Sequence, residues 1–387
     1  MRPITRSLVL PLLLLIPPTP AGAQPARAVG ALEWEFFTNR EFRGPVIRAA
    51  IDETRGSVFL ATRATLYEVR EGKPRVYAER PSDDAKLILA PGGKVFAWLQ
   101  TLPGTLELFT VELRFVDNPD RRVTLKPAKG PAPGFLSLIL GFQGRLIVTV
   151  TPHQQAMVQQ PPLRYSFWNT DGNLVKEIDL DDVSDPMVDP SGRSLLLLGR
   201  ESAVAFSNSG ERLWDQRGRY RKGAISFGGT TALLNSAEAI NDVVLVVNRE
   251  PRHLRFATPV HHLVLPLEGA VGFIAGDRGR YAFVDLKTAK LQEGRVPLQQ
   301  FSYIFSTEFL DPTAIVAGVL HPADESLKHG WPRGSIVAFD LRGNVKFLRT
   351  FDVSQATAGV PGVDALFGKR RFVGYTHERA LAARTAE

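Results

Sequence analysis

Cysteine is absent from all 387 residues, which excludes disulfide staples, thiolate metal ligands, thiol catalysis and a lipid-modified cysteine anchor. Long apolar runs are also missing: the longest, at residues 8–16, is too short to cross a bilayer, which takes about 20 residues. Helical periodicity is sparse, and only residues 378–386 read as either a short helix or a strand. Nor is there a G-x-S-x-G elbow, a P-loop or an H-E-x-x-H pair. His377-Glu378 begins the last pattern, but Leu381 stands where its second histidine belongs. No Pro/Ser-rich linker and no shift of composition divides the chain, so residues 24–387 read as a single domain.

What is present at the N terminus is an export signal. Arg2 and Arg6 make a basic start, residues 8–16 an apolar core, and Ala21-Gly22-Ala23 a small-residue cleavage site before Gln24. Residues 1–23 are expected to be a signal peptide, with a mature protein in the periplasm or outside the cell and no transmembrane segment in it. The formal charge of +7 suits weak attraction to anionic surfaces. No aromatic-interleaved basic helix concentrates that charge, which argues against nucleic acid as the partner.

The rest of the chain is organised by a repeated hairpin. Residues 164–180, RYSFWNTDGNLVKEIDL, alternate in the period-two manner of strands on either side of Thr170-Asp171-Gly172-Asn173. Asp-Gly supplies the positive backbone angles a tight turn needs. Related hairpins lie at 66–77, 113–125, 204–214, 245–256, 281–291 and 337–348, about 45 residues apart, the period of a four-stranded propeller blade. A second apolar pair around a turn precedes each, as in VDPSGRSLLLLG. Residues 363–376 resemble the first two strands of one more blade, and 32–37, LEWEFF, a strand without an opening hairpin. The expected fold is therefore an all-β propeller of four-stranded blades, its ring closed by N- and C-terminal strands. The count is eight blades, with seven as the alternative if the weak copy near Asn248 is no blade.

Strands alternate in direction outward from the axis, so turns within hairpins lie on one face and the remaining connections on the other. The long connections, at 101–105, 152–163 and 321–334, all fall on the second face, where long loops in compact repeats usually bind. Candidate partner-binding residues there are the cation cluster Arg217, Arg219, Tyr220, Arg221 and Lys222, together with His153, His321, Asp324, His329 and Trp331. The histidines and Asp324 are the right ligand types for zinc, but their convergence is not readable from sequence, and no metal or cofactor is assigned. Asp189-Pro190-Ser191-Gly192 reads as a turn and not as part of a calcium site.

Residues 204–218, VAFSNSGERLWDQRG, resemble the blade repeat of quinoprotein-type (PQQ-like) propellers and their non-catalytic relatives through Gly210 and Trp214. Residues 340–343 and 169–172 share its turn, with Phe347 or Ile178 near the place of the tryptophan. WD-like repeats are a poorer match, since Trp214-Asp215 stands alone. The resemblance implies a propeller; the quinone floor and calcium site of the dehydrogenases have no assignable residues here. The expected function is a non-catalytic binding or scaffold propeller holding a protein, peptide or glycan on the long-loop face. The alternative is a quinoprotein-like oxidoreductase or a propeller hydrolase or lyase, with His153, His321, Asp324 and His329 around the channel mouth.

Overall fold

The structure, a computed structural model, describes residues 30–105, 108–127, 134–152, 162–180, 186–296, 303–321, 333–352 and 361–386. The candidates His153, Asp324, His329 and Trp331 lie outside these residues, as does the signal segment.

Eight four-stranded antiparallel sheets form the molecule. Blades 1 to 7 span residues 48–79, 86–125, 137–180, 187–217, 220–255, 260–295 and 303–352, and each is four strands in chain order. The weak copy near Asn248 is the second hairpin of blade 5, so the count is eight. First strands of neighbouring blades touch at seven of the eight junctions, the last with the first included, which closes the ring and puts these strands at its hub.

Each blade reads radially. In blade 1 the second strand, Ser57–Ala61, is buried at every position, and the third, Thr65–Arg70, at all but Arg70. The outer strand, Lys73–Glu79, has no buried position, each residue being half-buried or exposed. Middle strands are sandwiched between two neighbouring blades, so both their faces must be apolar. That is why they appear in sequence as unbroken runs such as Ser194–Leu198, SLLLL, in place of an alternating pattern. Clusters such as Leu196, Leu198, Trp214, Ile225 and Leu234 run from one blade into the next. At about 25 cal/mol per Å² of apolar area removed from water, this blade-on-blade contact is the main source of stability.

Short polar side chains fix the turns. Asp52 Oδ1 accepts from Thr54 N at 3.0 Å, and Asp340 Oδ1 from Arg342 N and Asn344 N, both at 2.9 Å. The carboxylate imitates a backbone carbonyl in each case. Asp189 also reaches across blades, accepting from Ser191 N at 2.9 Å and from Gly228 N of blade 5 at 3.1 Å, as its reading as a turn residue requires. Gly210, at φ +80°, holds the left-handed position of its turn, and a Cβ there would meet Phe167 at 2.9 Å. Trp214 Nε1 donates to the Gly229 carbonyl of the next blade.

Blade 8 is made from both termini. Gly362–Leu366, Arg371–Tyr375 and Arg379–Arg384 supply three strands, and Ala31–Phe37 adds the outermost by antiparallel pairing from Ala31↔Arg384 to Phe37↔Arg379. Residues 378–386 thus contribute a strand, not a helix. Glu33 pairs with Arg371 at 2.9 Å and Arg384 at 2.6 Å, and Glu35 with Arg349 at 2.8 Å and Arg379 at 3.2 Å. Past the strand, Phe42 packs edge-on against Phe36 and Tyr67, tying the terminal segment to blade 1.

Candidate functional site

At one level of the hub, traced by strand pairing, six blades carry apolar residues: Ala50, Ile88, Ile139, Met187, Ala224 and Val264. Blades 7 and 8 break the rule. Glu308, paired with Val316, and Asp364, paired with Val373, occupy the same level on adjacent first strands. Two acids thus stand side by side in an otherwise apolar ring.

Two positions earlier on their strands, toward the face of the long connections, stand Arg48, Lys86, Lys222 and His262. Lys86 lies over the Phe109 ring, 4.4 Å from its centre, and Lys222 Nζ donates to the His261 carbonyl at 2.6 Å. Arg48 is exposed and, among the described residues, closes no hydrogen bond or ion pair within 4 Å. In blade 8 this position is Gly362, and the Tyr375 ring of the second strand fills the space a side chain there would take.

Enclosure sets the chemistry. Glu308 reaches channel water, yet protein surrounds it; lost hydration, then the charge of Asp364, push its carboxyl up to about 8 against the pull of Arg48. Burial likewise raises Asp364 to about 7, opposed by Arg48 and by the backbone amides of Ala365 and Ile51. Its Oδ2 is shielded from solvent and has no hydrogen-bond partner. Tyr375 is driven up to about 12, mainly by burial and then by Asp364. Near neutral pH the two acids therefore titrate as a coupled pair, above the usual carboxylate range.

On the other side of Glu308, burial and then the Lys222 charge push the imidazole of His262 down to about 4. Because its folded value lies below the unfolded one, its contribution is complete above about pH 6.5 and is lost as pH falls toward 4. In denaturant titrations, His262→Gln should remove about 2–3 kcal/mol of the acid destabilisation between pH 7 and 4.5. Parallel pH profiles for the two proteins would refute this origin.

The structure separates most of the residues singled out in the sequence. Arg217 ends the outer strand of blade 4, whereas Tyr220 begins the hub strand of blade 5, so the run 217–222 crosses the ring radially. Arg221 donates to Asn235 Oδ1 at 2.5 Å and the Val260 carbonyl at 2.6 Å. With Lys222 it joins blade 5 to blade 6. Tyr220 donates to the Arg217 carbonyl at 2.9 Å, while Arg217 and Arg219 are exposed. His321 is buried, with Nε2 2.7 Å from Ser335 Oγ. Among the described residues no three His, Asp or Glu side chains form a group able to hold a metal. A cleft of about 350 Å³, lined by Thr313, Asp340, Arg342, Lys346 and Arg370, lies on the opposite, tight-turn face. Sequence reasoning missed Glu308 and Asp364; their signal was a lone acid inside IFSTEFL and GVDAL.

Fold and hub together define an eight-bladed β-propeller with an acidic interruption in its channel. No family model and no curated protein matches the sequence. Among solved structures the chain is similar to the computationally designed Ika8 protein, at TM-score 0.61 and 11% identity over 92% of this chain and 100% of that one. It is also similar to Saccharomyces cerevisiae Sqt1, at TM-score 0.60 and 9% identity over 93% and 100%. Apo AztD from Citrobacter koseri matches at TM-score 0.50 and 10% identity over 89% and 90%. At such identities the likeness is one of fold alone.

Proposed function

We propose that this protein is an exported, non-catalytic binding propeller that holds a peptide or protein segment at the channel mouth, on the face of the long connections. The observation that carries the reading is the composition of that mouth. Ile47, Tyr303 and Phe305 are exposed by 46%, 47% and 36%, and they stand at the long-connection ends of the first strands of blades 1 and 7, with Arg48, unpaired among the described residues, next to Ile47 in sequence. Exposed aromatic and aliphatic residues on a mouth that also carries an arginine have the make-up of an interface hot spot, and leaving them in water is unfavourable for a lone monomer.

A peptide library displayed against mature protein from Gln24 should enrich binders, and Phe305→Ala with Arg48→Ala should weaken them at least tenfold. Binders indifferent to both changes, or enrichment of glycans alone, would sink the reading. Export rests on the signal pattern at residues 1–23; an uncleaved N terminus on protein recovered from the cytoplasm would remove that part. A hydrolase or lyase is the second reading, favoured by one observation: a carboxyl that keeps its proton near neutral pH, as Glu308 does, is suited to general acid catalysis. Turnover of a glycoside or ester abolished by Glu308→Gln would put it first.

A further inference from the structure

We infer that the Glu308–Asp364 pair is a receptor for a primary ammonium group. The inference deepens the proposed function by naming the part of the ligand that enters the channel: a free amino terminus or a lysine side chain.

The geometry supplies three acceptor groups for the three donors of an ammonium. Glu308 and Asp364 share a level on adjacent hub strands, and the Tyr375 ring, lying across Gly362 one level toward the mouth, brings a hydroxyl beside them. An ammonium has three N–H bonds and no acceptor. Around this corner the level is apolar, so a ligand's methylene stem meets Ile88, Ile139, Met187 or Val264 and not competing polar groups.

Compensation of charge is also incomplete. Asp364 Oδ2 is buried without a partner, and Glu308 makes no hydrogen bond or ion pair within 4 Å among the described residues. The buried oxygen of Asp364 is in that state neutralised either by a proton or by a cation. The groups that bear on the pair are Arg48 from blade 1 and Tyr375 from blade 8; His262 and Lys222 stand on the first strands of blades 6 and 5, one level toward the mouth. Arg48 is the cation that opposes the rise of both carboxyls, and it stands one level toward the mouth, where it can meet a carbonyl of the ligand. A metal ion is less well served: two carboxyls and a phenol beside a guanidinium fall short of the six to eight oxygens calcium gathers or the three or four ligands of zinc.

Calorimetry on the mature protein at pH 7.5, in phosphate and in HEPES, tests this with triglycine amide, its N-acetylated form and n-butylammonium. The free-amine peptide should bind with heats that differ between the buffers by a net proton release, and acetylation should weaken it at least tenfold. Glu308→Gln with Asp364→Asn should do the same, and Tyr375→Phe should cost about threefold, in keeping with loss of one hydrogen bond. As a readout independent of variants, ¹³C carboxyl shifts should show both acids titrating at lower pH when n-butylammonium is present. Equal binding of the acetylated peptide, unchanged carboxyl titrations, or calcium or zinc displacing the amine would each overturn the inference. Failure here alongside Phe305-dependent peptide binding leaves the proposed function standing. Titration of the pair by n-butylammonium with no peptide bound refutes the proposed function and keeps the site.

Discussion

A chain cut back to begin at residue 45 should fail to give a stable monomer. Removing Ala31–Phe37 strips six residue pairs from Arg379–Arg384 and leaves that strand as an open edge, the feature that invites association between copies. It also removes Trp34 and Phe42, both buried in the cluster shared with Tyr67 and Val373; deleting one large buried aromatic costs about 3–5 kcal/mol. Arg371, Arg379 and Arg384 lose the carboxylates of Glu33 and Glu35, and the Thr38 N to Glu378 O bond of 2.9 Å goes as well. Together these approach the whole stability of an ordinary domain, about 5–15 kcal/mol. The expected result is aggregation, or a melting temperature lowered by more than about 10 °C, with partial recovery when a peptide of residues 30–44 is added. A truncated protein that stays monomeric and melts within a few degrees of the full chain would show that closure rests on blade-to-blade packing alone.

Replacing the channel acids should stabilise the protein, and only at neutral to alkaline pH. Both carboxyls have folded values, about 8 for Glu308 and about 7 for Asp364, above the usual unfolded range near 4. The folded state thus holds more protons than the unfolded one between those values. Its stability is fully present below about pH 4 and declines as pH rises toward 8. Glu308→Gln with Asp364→Asn removes this dependence. Glu308 is open to channel water, so the gain is discounted for screening to about 1–3 kcal/mol at pH 8, and it should vanish at pH 4. Denaturant midpoints of the two proteins at pH 4, 6 and 8 read it directly. A variant less stable than the parent at pH 8 would mean that the acids serve as hydrogen-bonding partners within the fold.

The repeat was legible because its most regular part is local. Asn169, Ser207, Asp285 and Asp340 each precede a tight turn and are bonded within it, so the residues that set the period also announce it. Buried second strands read as apolar runs, and the pairing of the two termini followed from strands without partners. The acid pair was illegible for a geometric reason. First strands vary from Met187–Val188 to Tyr303–Asp311, and register shifts fall between Tyr220 and Lys222, Val260 and His262, Ile304 and Ser306, and Phe309 and Asp311. Counting along the chain therefore cannot place Glu308 level with Asp364. The run 217–222 failed as a cluster for the opposite reason: contiguous in sequence, it crosses from the rim of one blade to the hub of the next.

The blade made from both ends has a consequence in time. Its outermost strand is the first to be synthesised and its partner among the last, so Ala31–Phe37 must wait while the other seven blades assemble. Pairing across nearly the whole chain makes ring closure the step of greatest sequence separation, and such steps are slow. Until it happens every intermediate carries an unpaired strand at one end and an unpaired edge at the other, the condition in which a chain is most exposed to its neighbours.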